Sequence, residues 1–346
     1  MSVYLIFFFL LAGFSIDGLI YPDRKSQFYY LGSGLIILLV ACRGNGFDWH
    51  SYETIYNVFH EGGERRGAEF VEYGFQWLCN LSPSYTFLVF IVGFISVFLT
   101  LKGTFPFAKL NLPVLGLLVF SSMYLLPTYM GQIRQGLAIG CVCMAVLYNY
   151  KNKKEIVLLW IGIGMLFHMT AVVALVILFT PKKQLKYWVY ISTVIASIIG
   201  YGICLKLVAG LLGFNDSAAA QKAMVYAQTE TESLSYSTVL LRMVTLSIVL
   251  YLNKGKNDKI SYISNIYVWG IIIYLIFGFL PQLASRGAYY FAIYDMILLP
   301  FIVKSFKNEK VLFLGLYLFI VSLSLYRALV RFQDPFFSHS FIPYIQ

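Results

Sequence analysis

The chain has 346 residues, 59% of them hydrophobic and only 12% charged, with a formal net charge of +10. A soluble fold of this length carries about twice that share of charged residues, so most of the chain must lie in lipid. The positive charge does not point to nucleic acid. The lysines form short clusters between apolar runs (Lys151, Lys153, Lys154; Lys182, Lys183, Lys186; Lys254, Lys256, Lys259; Lys304, Lys307, Lys310), the pattern that marks cytoplasmic loops.

The runs lack the alternation of barrel strands, which leaves helices as the spanning element. The expected fold class is an all-α polytopic membrane protein, a single integral domain over residues 1–346. Spans are expected near 3–20, 28–42, 84–101, 112–128, 134–150, 187–211, 239–253, 262–280, 287–303 and 311–330. No basic segment precedes Val3–Leu19, so that stretch reads as a first span and not as a cleaved signal. Residues 43–83 form a long loop with six acids (Asp48, Glu53, Glu61, Glu64, Glu69, Glu72) against three arginines, and suit the outside. Residues 213–238, with Asp216, Glu230 and Glu232 against Lys222, suit it as well.

Residues 155–180 complicate the count, because this apolar stretch has lysines at both ends. A single tilted helix would reverse every later loop. Two helices of about 13 residues each, rising ~20 Å, would return the chain to the same side. The expectation is therefore a re-entrant or shortened helical hairpin with Phe167-His168-Met169-Thr170 at its apex. With it, about ten helices cross, and Arg43, Arg134 and Arg286 all fall at the outer face around a common cavity.

Ionisable groups at the edges of spans are costly and mark substrate or ion pathways by default. The first group is Arg43-Gly44-Asn45-Gly46-Phe47-Asp48, with Tyr52 one helical turn beyond Asp48. Arg134 and Gln135 open the fifth span. A helix N-terminus with a guanidinium beside it suits a phosphate or diphosphate, whose oxygens the planar fork binds in pairs. Arg286, Tyr289 and Tyr290 share one helical face at the start of the ninth span, with Asp295 further down it. His168 is the one histidine inside an apolar run, and Glu72 and Asp48 compete with it as candidate general bases. The five cysteines fit neither a zinc site nor a disulfide framework and read as packing residues. No metal ligand set and no cofactor are expected. Most aromatics, 18% of the chain, read as lipid-interface belts.

Taken in order, these residues resemble a known family. Arg43, Gly46, Asp48 and Tyr52 are followed by Glu72, Gly74 and Phe75. Then come Ile133, Arg134, Gln135 and Ala138; Phe167 and His168; Arg286, Tyr289 and Tyr290; and Pro343 and Tyr344. The set is similar to the EpsG-like branch of the Wzy-type polysaccharide polymerases of bacterial envelopes. The resemblance implies a metal-independent glycosyltransferase of the bacterial cytoplasmic membrane with its active site facing outward. Its substrates would be undecaprenyl-diphosphate-linked oligosaccharides, its surroundings membrane lipid, and its partner a chain-length regulator protein. In that reading His168, Glu72 or Asp48 is the base. Arg43, Arg134, Gln135, Arg286, Tyr289, Tyr290 and Tyr52 bind substrate. A lipid-linked oligosaccharide flippase and a glycan ligase are the rival readings.

Overall fold

A computed structural model describes residues 3–44, 46, 48–61, 71–109, 111–212 and 236–332. Asn45, Phe47, the Glu64-Arg65-Arg66 turn, Glu69, most of the loop 213–238 and the Pro343-Tyr344 pair lie outside these residues. Every regular element among the described residues is helical. In chain order they are α1 (Val3–Ile20), a 3-10 turn (Pro22–Arg24), α2 (Lys25–Ala41), α3 (Trp49–Glu61), α4 (Tyr73–Leu81) and α5 (Tyr85–Ala108). Next come α6 (Pro113–Phe120), continued as a π-type helix over Ser121–Gly131, then α7 (Ile133–Tyr150), α8 (Lys154–Phe167) and a 3-10 helix over Met169–Phe179. The chain closes with α9 (Tyr187–Leu212), α10 (Tyr236–Asn253), α11 (Asp258–Ile276), α12 (Pro281–Ala292), α13 (Asp295–Ser305) and α14 (Lys310–Phe332).

Against the ten expected crossings, five described helices are long and apolar enough to cross a membrane: α5, α6 with its π continuation, α10, α11 and α14. A sixth is added if α12 and α13, bent by 52° at a short break, count as one span. Helices α1 and α9 contribute the shorter apolar stretches Ile6–Ile20 and Tyr187–Ile203.

The chain divides into two compact units, Met1–Val172 with Asp295–Gln346, and Val173–Tyr294. At the centre of the first lies α7, buried along nearly its whole length from Ile133 to Leu147 apart from Arg134. Small residues let it pack tightly, as helices do where no water drives association. A β-carbon at Gly140 would meet the Ser96 carbonyl of α5 at 2.8 Å. A hydroxyl pair, Thr100 Oγ1 and Tyr129 OH at 2.7 Å, ties α5 to the π-type segment. Asp295, at the start of α13, accepts a 2.7 Å hydrogen bond from Tyr124 OH. In the second unit α9, α10 and α12 pack on α11. There Asn265 donates to the carbonyls of Pro181 and Lys183, and the Trp269 indole N–H donates to Thr180.

Residues 155–180 are broken at the expected place. Helix α8 stops at Phe167 and His168 is extended. A β-carbon placed on Gly164 would lie 3.3 Å from the β-carbon of Ala171, whereas seven residues of unbroken α-helix separate such atoms by about 10 Å. The chain thus changes direction abruptly at His168.

Candidate functional site

The loop after α2 is more structured than its composition suggests. Helices α3 and α4 lie over the start of α5 and α7, burying Tyr52, Tyr56, Phe75, Cys79, Tyr85, Leu88, Ile133 and Leu137 in one apolar cluster, with Phe167 packed against it. Tyr52, Tyr56 and Phe59 recur at helical spacing on α3, a signal that the acidic composition of the loop masks. Asp48 precedes the first residue of α3, the N-cap position, and its carbonyl accepts the Tyr52 N–H at 3.0 Å.

Arg43 sits where this loop leaves α2. It is 1% exposed, and its Nη1 donates to the carbonyls of Tyr129 at 2.7 Å and Val40 at 3.4 Å. Both carbonyls belong to the last turn of a helix, where carbonyls have no partner within the helix and a cation is favoured by the dipole. Gly46 completes the dock, since any β-carbon there would overlap the Met130 carbonyl oxygen.

Arg134 is satisfied in another way. Its Nη1 pairs with Glu72 Oε2, and the two side chains are 20% and 12% exposed. Its guanidinium carbon lies 5.8 Å from the Tyr52 ring centre and 5.9 Å from that of Phe75. The other carboxylate oxygen of Glu72 accepts the Met169 backbone N–H at 3.1 Å. One carboxylate therefore joins the start of α7 to the break beside His168. Local sequence explains its position. Glu72 stands at the N-cap of α4 with extended backbone, its carbonyl accepting the N–H groups of Phe75 and Gln76, and Gln76 Nε2 donates back to Val71 at 2.6 Å. Gly74 lets α4 approach α8, because a β-carbon there would meet the Leu166 carbonyl at 2.7 Å. Phe75 then forms the floor beneath Arg134. Burial pushes the neighbouring Cys79 thiol up to about 12 despite the opposing charge of Arg134, so it stays protonated.

His168 Nδ1 lies 2.6 Å from the Thr170 hydroxyl, which fixes the ring. Around the junction of the π-type segment and α7, Thr128 Oγ1, Gln132 Oε1 and Arg134 Nε are buried with no hydrogen-bond partner among the described residues. Buried polar atoms are rarely left so unless water or a ligand meets them. The same junction holds the π-type helix of 11 residues, a departure from α-helical geometry of a kind frequent at functional sites.

The EpsG family profile matches residues 27–346. The chain belongs to the EpsG family. No curated protein and no solved structure is similar enough to match.

Of the residues singled out in this EpsG family member, the structure thus brings Tyr52, Glu72 and Arg134 together, with His168 one residue from the same carboxylate. Gln135 is fully buried in the packing of α7. Arg43 docks on Tyr129, five residues before Arg134. Arg286, Tyr289 and Tyr290 belong to the second unit on α12, where Tyr290 is fully enclosed and the other two are partly exposed. The sequence reading passed over Arg242, buried within α10 with its guanidinium 5.5 Å from the Tyr274 ring centre. Its signal was present: it is the one charge inside an otherwise apolar span. Thr170 and the Met169 N–H were also passed over, since their roles depend on the break after Phe167.

Proposed function

We propose that this membrane protein is a polysaccharide polymerase. It transfers a growing undecaprenyl-diphosphate-linked glycan onto the next lipid-linked repeat unit at the outer face of the bacterial cytoplasmic membrane. The observation that carries the reading is the state of Arg134: its guanidinium is fixed by Glu72 at the start of α7, and its side chain stays a fifth exposed. A guanidinium held in orientation at a helix N-terminus is a preorganised cradle for a diphosphate. Family membership supports the same reaction class.

In this mechanism the acceptor hydroxyl attacks the anomeric carbon of the donor glycan. The bond from that carbon to the diphosphate oxygen breaks, and its electron pair leaves with the lipid diphosphate. Arg134 stabilises the charge that develops on the leaving oxygens, so no metal ion is required. His168 takes the hydroxyl proton. In the tautomer that donates Nδ1–H to the Thr170 hydroxyl, 2.6 Å away, the basic lone pair sits on Nε2, and this is the form the mechanism uses. Displacement in one step inverts the anomeric carbon. Glu72, with both oxygens engaged, positions Arg134 and the His168 turn and does not act as the base. Arg43, enclosed by carbonyls, anchors the loop. Ten crossings, with residues 155–180 turning back within the membrane, place these groups at the outer face. The abrupt change of direction at His168 supports that topology.

The test is lengthening of purified lipid-linked repeat units by the purified protein in detergent. A ladder of products is expected. Movement of the same substrate across liposomes with no ladder would establish the flippase reading instead.

A further inference from the structure

We infer that the lysine-rich end of the second unit binds the headgroup of an anionic phospholipid, at a site separate from Arg134. A cavity of about 540 Å³ opens there, lined by Gln184, Leu185, Tyr187, Tyr251, Lys254 and Gly255. Its volume falls within the range of small-molecule pockets, roughly 300–1,000 Å³.

The floor is a connected hydrogen-bond network. Gln184 Nε2 donates to the Leu250 carbonyl at 3.3 Å, and its Oε1 accepts from Asn253 Nδ2 at 3.1 Å and from the Gly255 N–H at 2.8 Å. Tyr187 OH donates to the same Leu250 carbonyl at 3.1 Å, so the foot of α9 is fastened to the end of α10. The chain leaves α10 through two successive left-handed residues, Lys254 (φ 47°) and Gly255 (φ 72°). A lysine rarely adopts that conformation, and Gln184 holds the turn that imposes it. The Lys254 ammonium lies 4.9 Å from the Tyr251 ring centre, which keeps the cation at the rim of the cavity.

What surrounds the cavity selects lipid over a soluble anion. Tyr187, Trp188 and Tyr251 are 50%, 64% and 65% exposed, as aromatic side chains are at the level of headgroups. From the cavity, α9 leads away with exposed Ile191, Ile195 and Ile198, and α10 with exposed Val244 and Ile248. These apolar faces suit acyl chains and have no use for free phosphate. Lys182, Lys183, Lys186 and Lys256 on the adjoining loops add to the local positive potential.

The experiment follows lipid retention by the full chain, purified in detergent and titrated with phosphatidylglycerol or phosphatidylcholine, by native mass spectrometry. Wild type should retain a single phosphatidylglycerol in preference to phosphatidylcholine, and inorganic phosphate should not displace it. Lys254→Asn removes the charge with a residue that tolerates the left-handed backbone, and should weaken retention about fivefold. Lys310→Asn, which removes a lysine outside the cavity, should leave it unchanged. Equal retention of the two lipids, displacement by phosphate, or equal loss in the two variants would overturn the proposal. Retention needs no turnover, so its failure leaves the polymerase reading untouched.

Discussion

Arg43 and Arg134 begin from the same sequence setting, a lone guanidinium at the end of an apolar run, yet the fold satisfies them in opposite ways. Arg43 is enclosed and given to carbonyls that terminate two helices. Arg134 is held by a carboxylate, flanked by rings and left a fifth exposed. The first arrangement consumes the cation in holding the chain. The second orients it for something else. An arginine in a membrane protein is therefore not informative by its position alone; the partners that its fork already has decide whether it anchors or binds.

That contrast can be broken by substitution. The largest effect on turnover is expected from Arg134→Lys, which keeps the charge and loses the fork. Lengthening of lipid-linked repeats should fall by about 100-fold or more, in the range found when one donor to a developing anion is removed. His168→Ala should lower the same rate by roughly 100-fold, with a smaller change in substrate binding, as for loss of a general base. Arg43→Ala should act on the fold, since it strands two buried carbonyls. A loss of about 2–3 kcal/mol is expected, read as a lower midpoint of thermal unfolding in detergent. Glu72→Gln retains an acceptor for the Met169 N–H and loses the ion pair, so a drop of about tenfold in turnover with little change in the unfolding midpoint would fit a positioning role. Thr170→Val should have the smallest effect, shifting the pH profile of turnover by freeing the His168 ring; an unchanged profile would remove Thr170 from the account.

Much of the fold was legible because lipid selects apolar runs. The expected spans 3–20, 134–150 and 239–253 meet helices at Val3–Ile20, Ile133–Tyr150 and Tyr236–Asn253. The break at His168 was legible too, from lysines that flank both ends of one apolar stretch. Other features were not. The α12–α13 bend is marked only by Asp295, which reads as a charge within one continuous span, and the π-type turn before α7 shows only as Pro127. Helices α3 and α4 lay hidden in a loop read for its charge. The Glu72–Arg134 pair joins residues 62 apart, and only the packing of α4 on α8 brings them together. Arg43 and Arg134 looked alike because sequence shows charges and not the partners that occupy them.

The most direct test is binding of undecaprenyl diphosphate, without its glycan, to purified wild type, Arg134→Lys and Arg43→Lys. The account predicts at least a tenfold loss of affinity for Arg134→Lys and wild-type affinity for folded Arg43→Lys. Unchanged binding by Arg134→Lys, or a loss confined to Arg43→Lys, would contradict it.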